Sequence, residues 1–163
     1  KGRTSLEPDV IISTALSGAA ADISKQLSEK GTCIPMSRLS FVGAQQYIDA
    51  AGEAGAGVSI SQVVPNPSSS LAVIRECAKA LRDAGVNKAM NSAHLESCIA
   101  AKVLAEAMRR SKKVGDAKAL LTAMGNLGSF DTGGFTVSYS PEQHHGSKYV
   151  ELGMVTRGGK LRN

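Results

Sequence analysis

Two adjacent histidines, His144 and His145, stand in the segment PEQHHG, and such side chains could hold a metal or act as general bases. Neighbouring side chains on an extended segment point to opposite sides, and a metal needs further ligands at set spacings. No HExxH or HxH motif occurs, and Pro141 and Gly146 are typical turn residues. We therefore expect both histidines to lie in a solvated connection between two strands.

Motifs for other kinds of chemistry are missing from the sequence as well. It contains no GxSxG serine elbow, no GxGxxG nucleotide loop, no Walker A motif and no CxxC pair. There are three cysteines, so at least one thiol is unpaired. Cys77 and Cys98 fall on predicted helices, where we expect them to be small buried apolar residues. The sequence thus predicts no catalytic residue, no metal site and no cofactor.

The composition is typical of a globular protein. The 163 residues are 42% hydrophobic and 20% charged, and no apolar run reaches the roughly 18–20 residues that a membrane-spanning helix needs. The net charge of +5 would permit nucleic-acid binding, but aromatic residues make up only 4%, so few side chains could stack on bases. We expect no nucleic-acid partner and no transmembrane segment. The sequence opens with KGRTSLEPDVIIS, and we expect it to be a fragment or processed product of a longer protein.

Hydrophobic periodicity predicts alternating strands and helices in the first half of the chain. The apolar run at residues 8–15 is typical of a strand buried on both faces, and helical spacing follows between Ser17 and Gly31. The next predicted elements are a short strand at 33–36, a short helix at 45–51, a strand at 57–65 and an amphipathic helix at 71–85. Because alternating strands and helices favour a parallel sheet, the sequence predicts an α/β fold with a parallel, doubly wound sheet.

The second half of the sequence changes character. Two further helices are predicted, a long one beginning at Ser92 and a shorter one from Asp116 to Gly125. Alternating apolar residues then predict strands in GGFTVSYS and KYVELGMVT, with PEQHHG between them. We expect these two strands to form a C-terminal β-hairpin.

Two features at the predicted carboxyl ends of strands could bind a small molecule, because ligands of open α/β sheets bind at that edge. The helix after the first strand begins in LSGAA, and its N-terminus would offer backbone N–H groups to an anion. Arg38 follows the second predicted strand and could pair with a carboxylate. The alternative for Arg38 is an exposed loop arginine.

Four segments occur in the order seen in one protein family: FVGAQQYIDAAGEAGAGVSISQVVPNPSS, LAVIRECAKALRDAG, HLESCIAAKVLAEAMRRS and FDTGGFTVSYSPEQHHGSKYVELGMVTRGGKL. From about Pro8 to Lys160 the chain resembles the C-terminal half of a type I periplasmic solute-binding protein. The class is that of the branched-chain amino acid, or leucine/isoleucine/valine-binding, receptors of ABC transporters. The resemblance is most specific in two segments: GVSISQVVPNP, where a predicted strand ends, and GGFTVSYSPEQHHGSKYVEL near the end of the chain.

The resemblance implies a fold of two α/β lobes that close on a solute by a hinge motion. It implies that residues 1–90 form the second half of one ligand-binding lobe, that 91–127 are crossover helices of the other lobe, and that 128–163 are returning strands and a tail. The helices between 92 and 125 would lack their sheet. The missing N-terminal half of the same protein, or a second copy, would have to cover their apolar stripes.

The same resemblance implies a function without chemistry. The chain would belong to a periplasmic receptor that binds a small-molecule solute and delivers it to the permease of an ABC importer. A ligand-sensing domain of a regulatory or signalling protein with the same fold is an alternative. An α/β enzyme with an unrecognised site is the other alternative.

In the family, one lobe contacts the solute through the loop after the first strand here and through the loop before FVG. By position, the implied ligand-binding residues are Thr14, Ala15, Leu16, Arg38, Ser40 and Phe41. The family's amino acid binders have an aromatic residue and a glutamate near these places, where this sequence has Leu16 and Ser40. Since the missing acid removes the natural partner of an α-ammonium group, we expect a carboxylate or another small organic solute, aromatic ones included.

Overall fold

The computed structural model describes residues 8–40, 43–113 and 115–162. In chain order its strands and helices are β1 Ile11–Ser13, α1 Ser17–Glu29, β2 Met36–Arg38, α2 Ala44–Ala51, a short 3-10 helix Gly52–Gly55, β3 Ser59–Gln62, α3 Ala72–Asp83, α4 Ser92–Arg110, α5 Ala117–Gly125, β4 Gly128–Asp131, β5 Thr136–Tyr139, β6 Glu151–Val155 and β7 Leu161–Arg162. No helix among the described residues is long and apolar enough to cross a membrane.

The chain divides into two compact units. The first unit contains the described residues up to Gln62 together with those from Val150 onward, and the second unit is Val63–Tyr149. The division at 90/91 and 127/128 that the resemblance implies stays a prediction.

A five-stranded sheet in the order β1-β2-β3-β6-β7 forms the centre of the first unit. The strands β1, β2 and β3 run parallel, and β6 and β7 are antiparallel to their neighbours. The parallel strands come from successive βα units, as the alternation in the sequence predicts. The carboxyl ends of three strands therefore meet at one edge of this sheet.

The helices α1 and α2 cover one face of the sheet. Their small and apolar residues form a buried core with inward residues of the strands, and its members are Ala20, Ala21, Met36, Tyr47, Ile48, Ala51, Val58, Ile60 and Val155. The opposite face exposes apolar side chains: Ile12 is 73% exposed, Leu152 63% and Met154 56%. Side chains alternate between the two faces along β6, so Leu152 and Met154 lie on the open face and Gly153 and Val155 on the buried face.

The second unit packs α3, α4 and α5 with the two-stranded sheet β4-β5 around its own core. Cys77 of α3 and Cys98 of α4 form a disulfide, with their Cα atoms 6.0 Å apart. The prediction that these two cysteines are small apolar residues was therefore incomplete, because the helices bring the two sulfurs together. Cys33 is exposed and free.

The predicted pairing of the last strands was wrong. The strand in GGFTVSYS, β5, pairs with β4, and the strand in KYVELGMVT, β6, pairs with β3 and β7. Alternating side chains reveal a strand but do not specify its partner, and β4 is a four-residue strand that begins with glycine. A C-terminal hairpin does exist, but it consists of β6 and β7.

Glu106 anchors the end of α4 in the second unit. Its carboxylate accepts hydrogen bonds from Nε of Arg109 at 3.0 Å and Nε of Arg110 at 2.6 Å, and Nη1 of Arg110 also donates to the Leu127 carbonyl at 2.8 Å. These hydrogen bonds, from Arg109 and then Arg110, lower the pKa of the Glu106 carboxyl. A carboxyl with a lowered folded-state pKa stabilises the fold above its unfolded pKa, and this contribution disappears as the pH falls.

We expect Glu106→Gln to lower the free energy of unfolding at pH 7 and to have a smaller effect at pH 3. As the pH falls below the pKa of the carboxyl in the unfolded chain, the unfolded wild type takes up a proton that the folded protein resists, so the stability gained from the ionised carboxyl shrinks. Urea denaturation at both pH values measures the difference. Glu96→Gln, at an exposed position of the same helix, serves as the control. An equal loss at both pH values would show that the charge of Glu106 is not what matters.

Candidate functional site

Arg38 is the last residue of β2, and only 1% of it is exposed. Its Nη2 donates to the Ala15 carbonyl at 2.8 Å, and its Cζ lies 4.2 Å from the centroid of the Tyr47 ring. The Tyr47 hydroxyl in turn shares a 2.7 Å hydrogen bond with Ser24 Oγ. A stacked ring and one carbonyl thus hold the guanidinium in place at the carboxyl edge of the sheet.

Two donor atoms of this arginine are left over. Nε and Nη1 are buried and have no hydrogen-bond partner among the described residues. Burial lowers the pKa of the Arg38 guanidinium, an effect that its attraction to Tyr47 partly opposes, and arginine remains protonated at neutral pH. Since buried charges in proteins are normally paired, a fixed positive charge with spare donors suits a ligand that carries acceptor oxygens.

The strand β3 ends beside Arg38 at Gln62, a second buried residue with an unpaired polar atom. Gln62 is 2% exposed; its Nε2 donates to the Ser61 carbonyl at 2.9 Å, and its Oε1 has no partner among the described residues. Arg38 is paired with Ile60, two residues before Gln62, so the two side chains lie on the same face of the sheet. This edge therefore offers both unused donors and an unused acceptor.

A carboxylate also belongs to this edge. Glu151, the first residue of β6, is paired with Gln62, so both side chains point to the same face. Its Cα lies two strands away from that of Arg38 and two residues further along, which corresponds to a distance of about 12 Å. The prediction that this site lacks an acid rested on the β1 and β2 loops alone, and Glu151 was missed.

The structure brings some of the predicted ligand residues together. Ala15 contacts Arg38 through its carbonyl, and the backbone N–H of Ser40 donates to Ser61 Oγ at 3.1 Å. Thr14 and Leu16 are exposed in the turn between β1 and α1, Leu16 to 71%. Phe41 lies outside the described residues.

The two histidines that raised the question of catalysis belong to the second unit. His144 and His145 are exposed in the connection between β5 and β6, and a ring nitrogen of His144 is 2.9 Å from the Pro141 carbonyl. The described residues contain no group of three or more His, Cys, Asp or Glu side chains that could hold a metal.

Sequence reasoning missed three residues of this edge: Tyr47, Gln62 and Glu151. Gln62 had a usable signal, because a polar residue at the end of a β-branched strand lies where α/β proteins bind ligands. No sequence signal could have revealed Glu151 or Tyr47. The position of Glu151 depends on the antiparallel pairing of β6 with β3, and that of Tyr47 depends on the packing of α2.

Comparison with known proteins gives a consistent result. A family model described as "Periplasmic binding protein" matches residues 4–160. A search of curated proteins gave no match. Among solved structures, a substrate-binding periplasmic protein from Ralstonia solanacearum is 32% identical with a TM-score of 0.86; the match covers 96% of this chain and 45% of that one.

Two more distant structures share the fold. One is a possible leucine/isoleucine/valine-binding protein from Rhodopirellula baltica SH 1, 23% identical, with a TM-score of 0.89 and coverage of 96% of this chain and 43% of that chain. The other is a branched chain amino acid ABC transporter from Thermus thermophilus with bound valine, 18% identical, with a TM-score of 0.80 and coverage of 95% and 44%. The chain thus spans less than half the length of these solved structures.

Proposed function

Because the chain belongs to the periplasmic binding protein family, we propose that it is part of an extracytoplasmic receptor that captures a small organic solute for an ABC-type importer. The matched family and the solved structures named above are binding proteins rather than enzymes. The observation that carries the proposal is the set of unused buried polar atoms on Arg38 and Gln62 at the carboxyl edge of the first unit's sheet. This edge is where α/β sheets bind ligands.

The disulfide between Cys77 and Cys98 supports a location outside the cytoplasm. Disulfides form and persist in oxidising compartments such as the periplasm and are rare in the cytosol. The family itself implies a periplasmic or other extracytoplasmic location.

We further propose that other parts of a longer polypeptide cover the open face of the first unit's sheet. That face exposes Ile12, Leu152 and Met154, while parallel sheets of this class are covered on both faces. The chain also matches less than half of each related structure. The receptor would then act as the whole protein, and binding should be measured on that form.

The first experiment is calorimetric titration of the whole protein, as its gene encodes it, with a panel of amino acids, aliphatic and aromatic carboxylates, and neutral amides. We expect saturable binding of at least one solute without turnover. A folded protein that binds none of them, or that converts one to a product, would contradict the receptor function.

Gln62→Met tests whether the solute binds at the proposed edge. The change removes an acceptor that has no partner and also the Nε2 donor to the Ser61 carbonyl, so the variant should fold with a loss of about 1 kcal/mol in stability. It should bind solute about tenfold more weakly for the loss of one hydrogen bond. Gln26→Met, at an exposed position of α1, should bind as the wild type does. Unchanged affinity in Gln62→Met would remove this edge from the site.

A further inference from the structure

A pocket in the second unit lies between the end of α3 and the segment at residues 86–90 that leads to α4. Its volume is about 340 Å³, which is within the range of protein sites that bind small molecules. Its floor consists of the half-buried apolar side chains Ala78, Leu81, Val86 and Met90. Because Met90 also packs against the core of the second unit, the floor is continuous with that core.

Hydrogen bonds at two helix ends hold this segment in place. Gly85 turns the chain after α3 with a φ of +78°, and its N–H donates to the Arg82 carbonyl at 2.9 Å. The N–H of Val86 donates to the Leu81 carbonyl at 3.0 Å, which completes a Schellman motif and returns Val86 toward the helix. At the other end of the segment, the Asn91 side chain caps α4. The walls of the pocket are therefore built by the fold itself.

Two cationic side chains form the rim of the pocket. Arg82 of α3 and Lys88 of the following segment both line it and are exposed. Neither side chain forms an ion pair or a hydrogen bond with another residue in the described part of the chain. The neighbouring acid of α3, Asp83, is already paired with Lys79. The rim thus offers two positive charges to a ligand.

We propose that this pocket binds a soluble organic phosphate monoester, with its apolar group on the floor and its phosphate at Arg82 and Lys88. A phosphate ester carries nearly two negative charges at neutral pH, and these match the two cations. Arginine can donate two parallel hydrogen bonds to phosphate oxygens, and the exposed Asn87 amide at the same rim adds a neutral donor.

The size of the pocket favours a soluble ester over a membrane lipid. A volume of about 340 Å³ accommodates a ring or a short alkyl chain, whereas the long acyl chains of a lipid would remain in water. The site is independent of the solute-binding edge proposed above, because its residues belong to the second unit and Arg38 and Gln62 belong to the first. The inference therefore goes beyond the receptor function and does not rest on it.

Matched ligands test the inference by calorimetric titration of the whole protein. Hexyl phosphate carries both the charged head and the apolar body. Methyl phosphate keeps the head without the body, hexan-1-ol keeps the body without the head, and hexyl sulfate keeps the body with a single charge. We expect hexyl phosphate to bind about tenfold or more tightly than each of the other three. Vesicles containing phosphatidic acid, which has the same head on a lipid, should not bind in a sedimentation assay.

Three variants assign the binding to this pocket. Arg82→Gln combined with Lys88→Gln should weaken hexyl phosphate binding about tenfold or more, because both charges are lost. Lys112→Gln combined with Lys113→Gln removes two exposed charges elsewhere in the second unit and should bind as the wild type does. Ala78→Leu fills part of the floor and should weaken hexyl phosphate binding about tenfold. Thermal denaturation is expected to show that all three proteins fold.

Several outcomes would overturn the site. Equal binding of hexyl phosphate and any of its three comparison ligands would show that the pocket does not combine a doubly charged head with an apolar body. Wild-type affinity in the folded Arg82/Lys88 or Ala78 variant would place any binding elsewhere, as would an equal loss in the Lys112/Lys113 control. Binding to vesicles alone would favour a membrane lipid instead. A folded whole protein that does not bind hexyl phosphate would overturn the site while leaving the receptor function standing.

Discussion

Replacing both Cys77 and Cys98 by alanine is expected to lower the free energy of unfolding of the second unit by about 3 kcal/mol. The disulfide joins α3 to α4 across a separation of 21 residues, and closing a loop of this size restricts the unfolded chain by roughly that amount. Cys77 is 1% exposed and belongs to the unit's core, so lost packing would add to the effect. Urea denaturation of the whole protein, followed by far-UV circular dichroism, measures the change.

Two controls identify the disulfide as the cause. Cys33→Ala removes the exposed free thiol and should leave stability unchanged. Adding a reductant to the wild type should reproduce most of the loss, and adding it to the double variant should do nothing. A double variant as stable as the oxidised wild type would mean that the two helices hold together without the bond.

The sequence indicated the alternation of strands and helices well, because apolar periodicity is combined with start or stop signals at several helices. Gly85 follows α3, and Asp116 caps α5 by accepting from the N–H groups of Lys118 and Ala119. The disulfide was not predictable, because it depends on how α3 and α4 pack. Strand pairing failed for the same reason, since β3 and β6 are neighbours across almost ninety residues of chain.

Arg38 shows how far the prediction of the site could go. The apolar run CIPM placed the second strand at 33–36, but the strand is Met36–Arg38, so Arg38 is part of the strand rather than of the loop after it. Its inward direction follows from alternation with Met36. Its burial depends on Tyr47 from α2 and on the carbonyl of Ala15, and no local pattern could reveal those contacts.

The second prediction with a large effect concerns Gly133, in the turn between β4 and β5. Its φ is +119°, a region that residues with a side chain rarely adopt, and a Cβ added there would lie 2.8 Å from the backbone nitrogen of Val73. That nitrogen donates to the Gly133 carbonyl at 2.9 Å, and Asp131 Oδ1 accepts from the Gly133 N–H at 3.0 Å, so the turn cannot easily move aside. We expect Gly133→Ala to destabilise the second unit by about 3 kcal/mol, from backbone strain and overpacking together.

Gly125→Ala is the matched control in the same unit. Gly125 is the last residue of α5, and a Cβ there would make only an ordinary contact with Pro141 at 3.7 Å. Alanine favours the helix over glycine by up to about 1 kcal/mol, so this variant should be as stable as the wild type or slightly more stable. Thermal and urea denaturation of both variants would show opposite signs. A Gly133→Ala protein with wild-type stability would mean that the turn can separate from the start of α3, and the hydrogen bond to Val73 would then contribute little to the fold.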